Sequence, residues 1–367
     1  MTLLTTADHW RGSGTSFAKI ARGLSERGHR VALVVSSNAL AAEYARLGIP
    51  ARQLSLARTG AREVFALRAV AREHATDVII VDKPRDLRLA AMVSMLRPLC
   101  IVIRYNRVGT PRPARFVDRW TARCASAVLY QSDYIRVKAL NNLPMLGELT
   151  SFVIPNGFDA AAIAANAGPR AAWRAAHGVS EDELVVVSAG FAEAQKRFDL
   201  SIDALSLLAA RGIVATFVYC GDGPCRAALE ARAHAGGVKS LWLGLQSPSN
   251  TLTTIAAADV LVHPSPVEIF GNVLAESMAL GTPIIAMRAG GNPEMLGDDG
   301  ASSILVDEGS AESFANAIAE LLANPLRRCA LAAAARERLA SVLPLSRMID
   351  EYDAMLQQIT AAPSSLA

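Results

Sequence analysis

The 367-residue chain is 51% hydrophobic and 19% charged, enough apolar mass for one large core or two ordinary ones, and too little charge for a disordered chain. No apolar run approaches the ~20 residues that cross a bilayer, and no basic-then-apolar leader opens the chain, so a cytoplasmic protein is expected. The net charge of +3 hides a split: up to Pro155 there are 23 Lys and Arg against 11 Asp and Glu, and from Asn156 onward 14 against 23.

A basic first half facing an acidic second half points to an anionic partner of the first. With 5% aromatics and no nucleic-acid-binding signature, nucleic acid is set aside in favour of an anionic membrane surface or a phosphate-bearing acceptor. The five cysteines are scattered without CxxC or zinc spacing, so packed thiols and no metal are expected.

The first half alternates strand and helix. Thr2–Thr5 reads as a strand and ADHWRGSG as a loop. A helix comes next, from about Thr15 to Arg27, and HRVALVV is the second strand. Gly12 and Gly14 resemble half of a dinucleotide fingerprint. Phe17 takes the place of the last glycine, and no acid follows the second strand at the ribose position. The pair either admits a ligand close to backbone or simply makes a turn.

The helices Ala39–Leu47, Ala61–His74, Asp86–Leu96 and Ala114–Cys124 then alternate with the strands ARQLS, DVIIVD, CIVIRY and SAVLYQS. Such alternation predicts a parallel sheet covered on both faces, with ligands at the carboxyl ends of the strands. Asp8, His9, the Gly12 loop, Lys83 and the Arg104–Arg107 segment fall on that rim. Arg104, Asn106 and Arg107 are candidate acceptor contacts, with Asp8 beside them. FVIPNGFD, at the change of charge sign, reads as the joint between two domains, 1–155 and 156–344.

A second α/β series begins after the joint. Helix Pro169–His177 leads to strand LVVVSAG, loop FAEAQKR and helix Phe198–Ala210. Strand VATFVYC meets the turn Gly221–Pro224. Helix Cys225–Ala235 and strand SLWLG lead into HPSPVEIFGNVLAESMALGTPIIAMRAGGNPE, from His263 to Glu294. Strand SILVD and helices Ala311–Leu322, Leu326–Leu339 and Leu345–Ile359 close the chain.

The His263–Glu294 stretch reads as strand, loop, helix, strand, loop, helix. Pro264 and Pro266 end the first strand, and Gly271-Asn272 opens a helix that Gly281 closes. Asn292 reads as an N-cap with Pro293 at the first helical position. The loop from Glu268 to Gly271 therefore lies at a helix N-terminus, a ready site for a phosphate. Glu276, about one turn into that helix, is placed to accept bonds from a ribose diol. Lys196 and Arg197, just beyond the LVVVSAG strand, share the rim and suit a diphosphate. No Asp-x-Asp occurs, so cations and a helix dipole would have to stabilise a leaving diphosphate without metal.

The Glu-x7-Glu stretch with Gly-Thr-Pro and Gly-Gly-x-Pro-Glu resembles the retaining GT-B glycosyltransferases of family 4. VIPNGFD is similar to that family's interdomain segment, SAGFAEAQKRFD to its Gly-Arg-x4-Lys-Gly loop, and YCGDGP to the strand and turn before its nucleotide pocket. The resemblance implies an α/β protein of GT-B fold. It implies two Rossmann-like doubly wound domains facing across a cleft, with the last helix, about 345–367, returning to the first. It implies a nucleotide-sugar donor held by the second domain and a glycan or lipid-linked acceptor held by the first, with no cofactor.

By the same resemblance Glu276 would bind the ribose, and Glu268 the donor sugar. Backbone at Gly190, Ile269, Phe270, Gly271 and Asn272 would meet sugar and diphosphate. Lys196 would neutralise the leaving group, and the Gly12–Gly14 loop would cover it. Three departures stand out. Phe191 replaces the family's Arg and Arg197 its Gly. Asn106 and Arg107 stand where the first domain often has a His. A nucleotide-sugar epimerase, or a non-catalytic nucleotide-binding homologue for which Phe191 argues, are the alternative readings.

Overall fold

The computed structural model describes residues 1–7, 12–56, 58–107, 115–307 and 309–361. The chain divides into two units, Met1–Gly157 with Leu345–Ala367, and Phe158–Pro344.

Unit one is built on seven strands: β1 (Thr2–Thr5), β2 (Ala32–Val35), β3 (Ala51–Gln53), β4 (Val78–Val81), β5 (Cys100–Arg104), β6 (Ala127–Tyr130) and β7 (Thr150–Val153). All pairs are parallel, in the order β3-β2-β1-β4-β5-β6-β7. The strands β1, β2, β4 and β6 are buried along their whole length, as a sheet covered on both faces requires. Its helices are α1 (Gly12–Glu26), α2 (Asn38–Arg46), α3 (Ala61–Glu73), α4 (Pro84–Ser94), α5 (Phe116–Arg123) and α6 (Asp133–Asn142). The C-terminal helix Leu345–Ala361 packs on this unit. Met348, Ile349, Tyr352, Met355 and Leu356 join Phe17, Ile20 and Leu24 in one core, and a Cβ on Gly23 of α1 would run into Ile349.

Unit two has helices α7 (Ala160–Ala165), α8 (Arg170–Ala176), α9 (Phe198–Ala210), α10 (Arg226–Ala235), α11 (Pro248–Ala257), α12 (Asn272–Leu280), α13 (Asn292–Leu296), α14 (Ala311–Ala323) and α15 (Pro325–Val342). They cover six parallel strands: β8 (Val185–Ala189), β9 (Thr216–Cys220), β10 (Ser240–Gly244), β11 (Val260–His263), β12 (Ile284–Met287) and β13 (Ile304–Val306). The order is β10-β9-β8-β11-β12-β13. Each sheet reverses its winding once, between β1 and β4 in unit one and between β8 and β11 in unit two. Both units are therefore doubly wound, with a crevice at the carboxyl ends of those two strands.

Several expectations are corrected. Helix α1 begins at Gly12, so Gly12 and Gly14 are its first turn and not a loop. Gly14 is buried, and its carbonyl accepts a bond from the Tyr44 hydroxyl at 3.2 Å. Helix α6 and strand β7 were not anticipated between SAVLYQS and the joint. Phe152 and Val153 of the expected joint are the end of β7, and Asp159 caps α7 by accepting from the Ala162 N–H at 2.9 Å. Asn292 is not an N-cap. Gly291 holds that place, and Asn292 is the first residue of α13 with its side chain buried elsewhere.

Candidate active site

The crevice of unit two is lined by the loops after β8 and β11. Beyond β8 the chain runs through Gly190 into a short 3-10 turn, Ala194–Lys196. Glycine is required here by close approach. Gly190 has φ +145°, and a Cβ on Gly221 would lie 1.9 Å from its carbonyl oxygen. That oxygen accepts from the Tyr219 hydroxyl at 2.8 Å, and the Gly190 N–H donates to Cys220 at 2.9 Å. The loop start is thus pinned to β9.

Beyond β11 come Pro264 to Gly271. The Gly290–Gly291 pair holds this loop. Gly291 N–H donates to the Glu268 carbonyl at 2.8 Å. A Cβ on Gly291 would lie 2.3 Å from the Ile269 carbonyl oxygen, and one on Gly290 2.7 Å from that of Glu268. Asn292, fully buried, donates from Nδ2 to the carbonyls of Ser265 (3.2 Å) and Met287 (3.0 Å), tying the loop to the end of β12. Phe270 is buried and stacks on Phe158, ring centroids 6.1 Å apart. The Gly-Gly-x-Pro-Glu motif is therefore a backbone clamp on the Glu268 loop.

The two loops bring three side chains together. Lys196 Nζ donates to Glu268 Oε2 at 2.5 Å, and His263 Nε2 lies 3.2 Å from the same oxygen. Burial pushes the Glu268 carboxyl up. The His263 hydrogen bond and the Lys196 charge outweigh it and hold the group at about 2. Glu268 is therefore an ionised, directed acceptor at neutral pH. Gly271 is the N-cap of α12 and Asn272 its first residue, so the positive end of that helix adjoins the pair. Glu276 lies four residues beyond Asn272, and both are half-buried on α12.

Of the expected donor residues, Gly190, Lys196, Glu268, Ile269, Phe270, Gly271, Asn272 and Glu276 belong to these two loops and α12. Arg197 differs: its guanidinium is paired with Asp199 at 3.1 Å, with its own backbone left-handed at φ +53°. Lys196 alone of the two reaches Glu268. Gly12 and Gly14 lie in unit one. There Arg104 is 1% exposed and bonded to Asn156 at 3.4 Å, and it lines a pocket together with Asn106 and Arg107. Asn106 is half-buried and Arg107 exposed. Asp8 and His9 lie outside the described residues. His263 was missed as a functional residue. Its position as the last residue of β11, five before Glu268, is the signal that marks it. Among the described residues no group of three or more His, Cys, Asp or Glu side chains is placed to hold a metal ion.

Two doubly wound parallel-sheet units, one carrying a cation–carboxylate pair beside a helix N-terminus, define the class as GT-B. Residues 169–338 match the family model described as glycosyl transferases group 1, and residues 11–157 the glycosyl transferase 4-like domain. The chain belongs to the group 1 glycosyltransferases. It is 27% identical over 264 residues to a GDP-mannose-dependent alpha-(1-6)-phosphatidylinositol dimannoside mannosyltransferase of Mycobacterium tuberculosis, covering 71% of this chain and 63% of that one. Over 182 residues it is 34% identical to the lipopolysaccharide core biosynthesis glycosyltransferase LpsE of Rhizobium meliloti, half of each chain. The chain spans less than two thirds of the length of these relatives. In fold it is similar to HepE of Anabaena, solved with UDP and glucose, at TM-score 0.83, 19% identity and coverage of 97% and 99%. It is also similar to WaaG, a glycosyltransferase involved in lipopolysaccharide biosynthesis, at TM-score 0.67, 18% identity and coverage of 98% and 99%.

Proposed function

We propose that this chain transfers a sugar from a nucleotide-diphosphate sugar to a glycan or lipid-linked acceptor, such as a lipopolysaccharide intermediate, with retention and without a metal. The observation that carries the reading is Lys196 on Glu268 at the switch point of unit two, beside the α12 N-terminus.

In the transfer, the bond between the anomeric carbon and the diphosphate breaks and its electron pair passes to a phosphate oxygen. A bond forms to an acceptor hydroxyl, whose proton leaves with the diphosphate. The developing charge is met by Lys196 and the free N–H groups at the start of α12. The ionised Glu268 accepts hydrogen bonds from donor-sugar hydroxyls, and the Gly290–Gly291 clamp fixes where it points. Glu276 takes the ribose diol. The basic first half brings the chain to an anionic membrane surface on the cytoplasmic side, where such acceptors are held.

The test is a thermal-shift screen of UDP, GDP and their sugars after EDTA dialysis, since a ligand that binds the folded state raises its apparent stability. The reading expects a shift by one nucleotide series, lost in Glu276→Ala. A shift that appears only after Mg²⁺ or Mn²⁺ is restored would remove the metal-free mechanism, and no shift by any nucleotide would remove the donor site.

A further inference from the structure

Two donors share one oxygen of Glu268. Lys196 Nζ stands 2.5 Å from Oε2 and His263 Nε2 3.2 Å from it, and no described residue bonds Oε1. Glu268 is ionised, and an ionised carboxylate only accepts, so His263 carries a hydrogen on Nε2 and donates it.

The two donors differ in freedom. His263 is the last residue of β11, paired with Ala286 of β12, and its side chain is 3% exposed. A ring packed that closely on an interior strand keeps one orientation. Lys196 ends the short 3-10 turn after β8, and its long, flexible side chain is 21% exposed.

In the transfer, Glu268 and the leaving diphosphate both call on the single charge of Lys196. An ammonium that turns to the diphosphate leaves behind a largely buried carboxylate. Burial alone pushes that carboxyl up, toward a protonated group that no longer accepts at both oxygens. Among the contributions that bring it down, the His263 hydrogen bond stands first, ahead of the Lys196 charge. The fixed donor is thus the stronger hold on Glu268, and the mobile one can be released.

We propose that His263 is a positioning residue of the donor site, which keeps Glu268 on the hydroxyls of the donor sugar while Lys196 turns from Glu268 to the diphosphate. No proton changes hands: Lys196 stays an ammonium and Nε2 keeps its hydrogen. Oε1 is left to the sugar. The inference rests on the transferase reading above.

The experiment uses the full chain with UDP-glucose and GDP-mannose as donor probes. Release of UDP or GDP gives kcat and KM, and calorimetry with UDP and GDP reads the nucleotide site without a sugar. His263→Leu removes the N–H and is expected to lower kcat about tenfold or more, the loss of one hydrogen bond to a charged group, while affinity for the bare nucleotide stays within about threefold. His263→Gln carries an amide N–H as many bonds from Cβ as Nε2 is, and should bring kcat back to within about threefold of wild type. His263→Asn stops a bond short and should behave as the Leu variant does, which it replaces if Leu does not fold. In a Glu268→Ala background, His263→Leu should change kcat by less than about twofold, because a residue that acts through Glu268 then has nothing to act on.

A Gln variant no better than Leu or Asn would overturn the proposal. So would a kcat loss that multiplies with that of Glu268→Ala, or a nucleotide affinity that falls in step with kcat. Any of these in a protein whose wild type turns over leaves the transferase reading standing. A wild type that bound neither UDP nor GDP would remove that reading and this inference with it.

Discussion

Lys196 and Glu268 stand 72 residues apart in sequence and 2.5 Å apart in space. Their meeting depends on β8 and β11 being neighbours at the reversal of the sheet, since each residue lies a few positions beyond its strand. The pair, with His263 behind it, is held by backbone on one side and by glycines on the other.

Glu268 sets a pH dependence. Its folded-state value of about 2 is depressed from the ordinary 4.5. The stabilisation is therefore fully present above pH 4.5 and lost as pH falls toward 2. The shift corresponds to roughly 3 kcal/mol at 1.36 kcal/mol per unit. Urea unfolding of wild type and Glu268→Gln is expected to differ at about pH 6 and to converge toward about pH 3. Parallel curves across that range would contradict the assignment.

The glycine clamp sets a second. Gly291→Ala places a methyl within 2.3 Å of the Ile269 carbonyl oxygen, a backbone atom that cannot step aside cheaply. The Glu268 loop must move. A loss of about 1–3 kcal/mol in stability is expected, with nucleotide-sugar binding weakened further. Calorimetry on the variant checks both. Unchanged binding would show that the loop does not need its clamp.

The buried acid pair of unit one, Asp82 and Asp86, sets a third, of opposite sign. Burial raises both carboxyls, and the Asp82 charge helps carry Asp86 to about 8. A raised acid favours its protonated form in the fold, so its effect is absent below about pH 4 and grows as a cost while pH rises toward about 8. The groups around the pair, Thr5, Thr6, Lys83, Arg85 and Arg104, leave that direction intact. Asp86→Asn is expected to melt higher than wild type at about pH 8, with the gap closing by about pH 4. A gap independent of pH would refute the raised Asp86 carboxyl.

Much of this was legible in the chain. Buried apolar runs such as VLVH and IIAM, ended by Pro and Gly, mark strands with little ambiguity, and the loop between Glu268 and Gly271 falls between two of them. What escaped did so for physical reasons. DYIRVKALNN buries only Ile135 and Ala139, so α6 shows no continuous apolar stripe. TSFV is an edge strand with two exposed residues and lacks the buried-strand signature. Arg197 and Arg104 carry charges that read as free in the sequence, yet Asp199 and Asn156 engage them. His263 looked like the end of a strand because its partner, Glu268, is set by a loop whose path depends on glycines more than twenty residues away.

Lys196→Ala tests the central claim most directly. With the nucleotide sugar that gives the largest thermal shift, release of nucleotide diphosphate is measured at saturating donor. If Lys196 stabilises the leaving group, kcat falls by about 10²–10³-fold, while KM for the donor changes by only a few-fold. A variant that turns over at the wild-type rate would contradict the assignment of Lys196 and Glu268 as the donor-side pair.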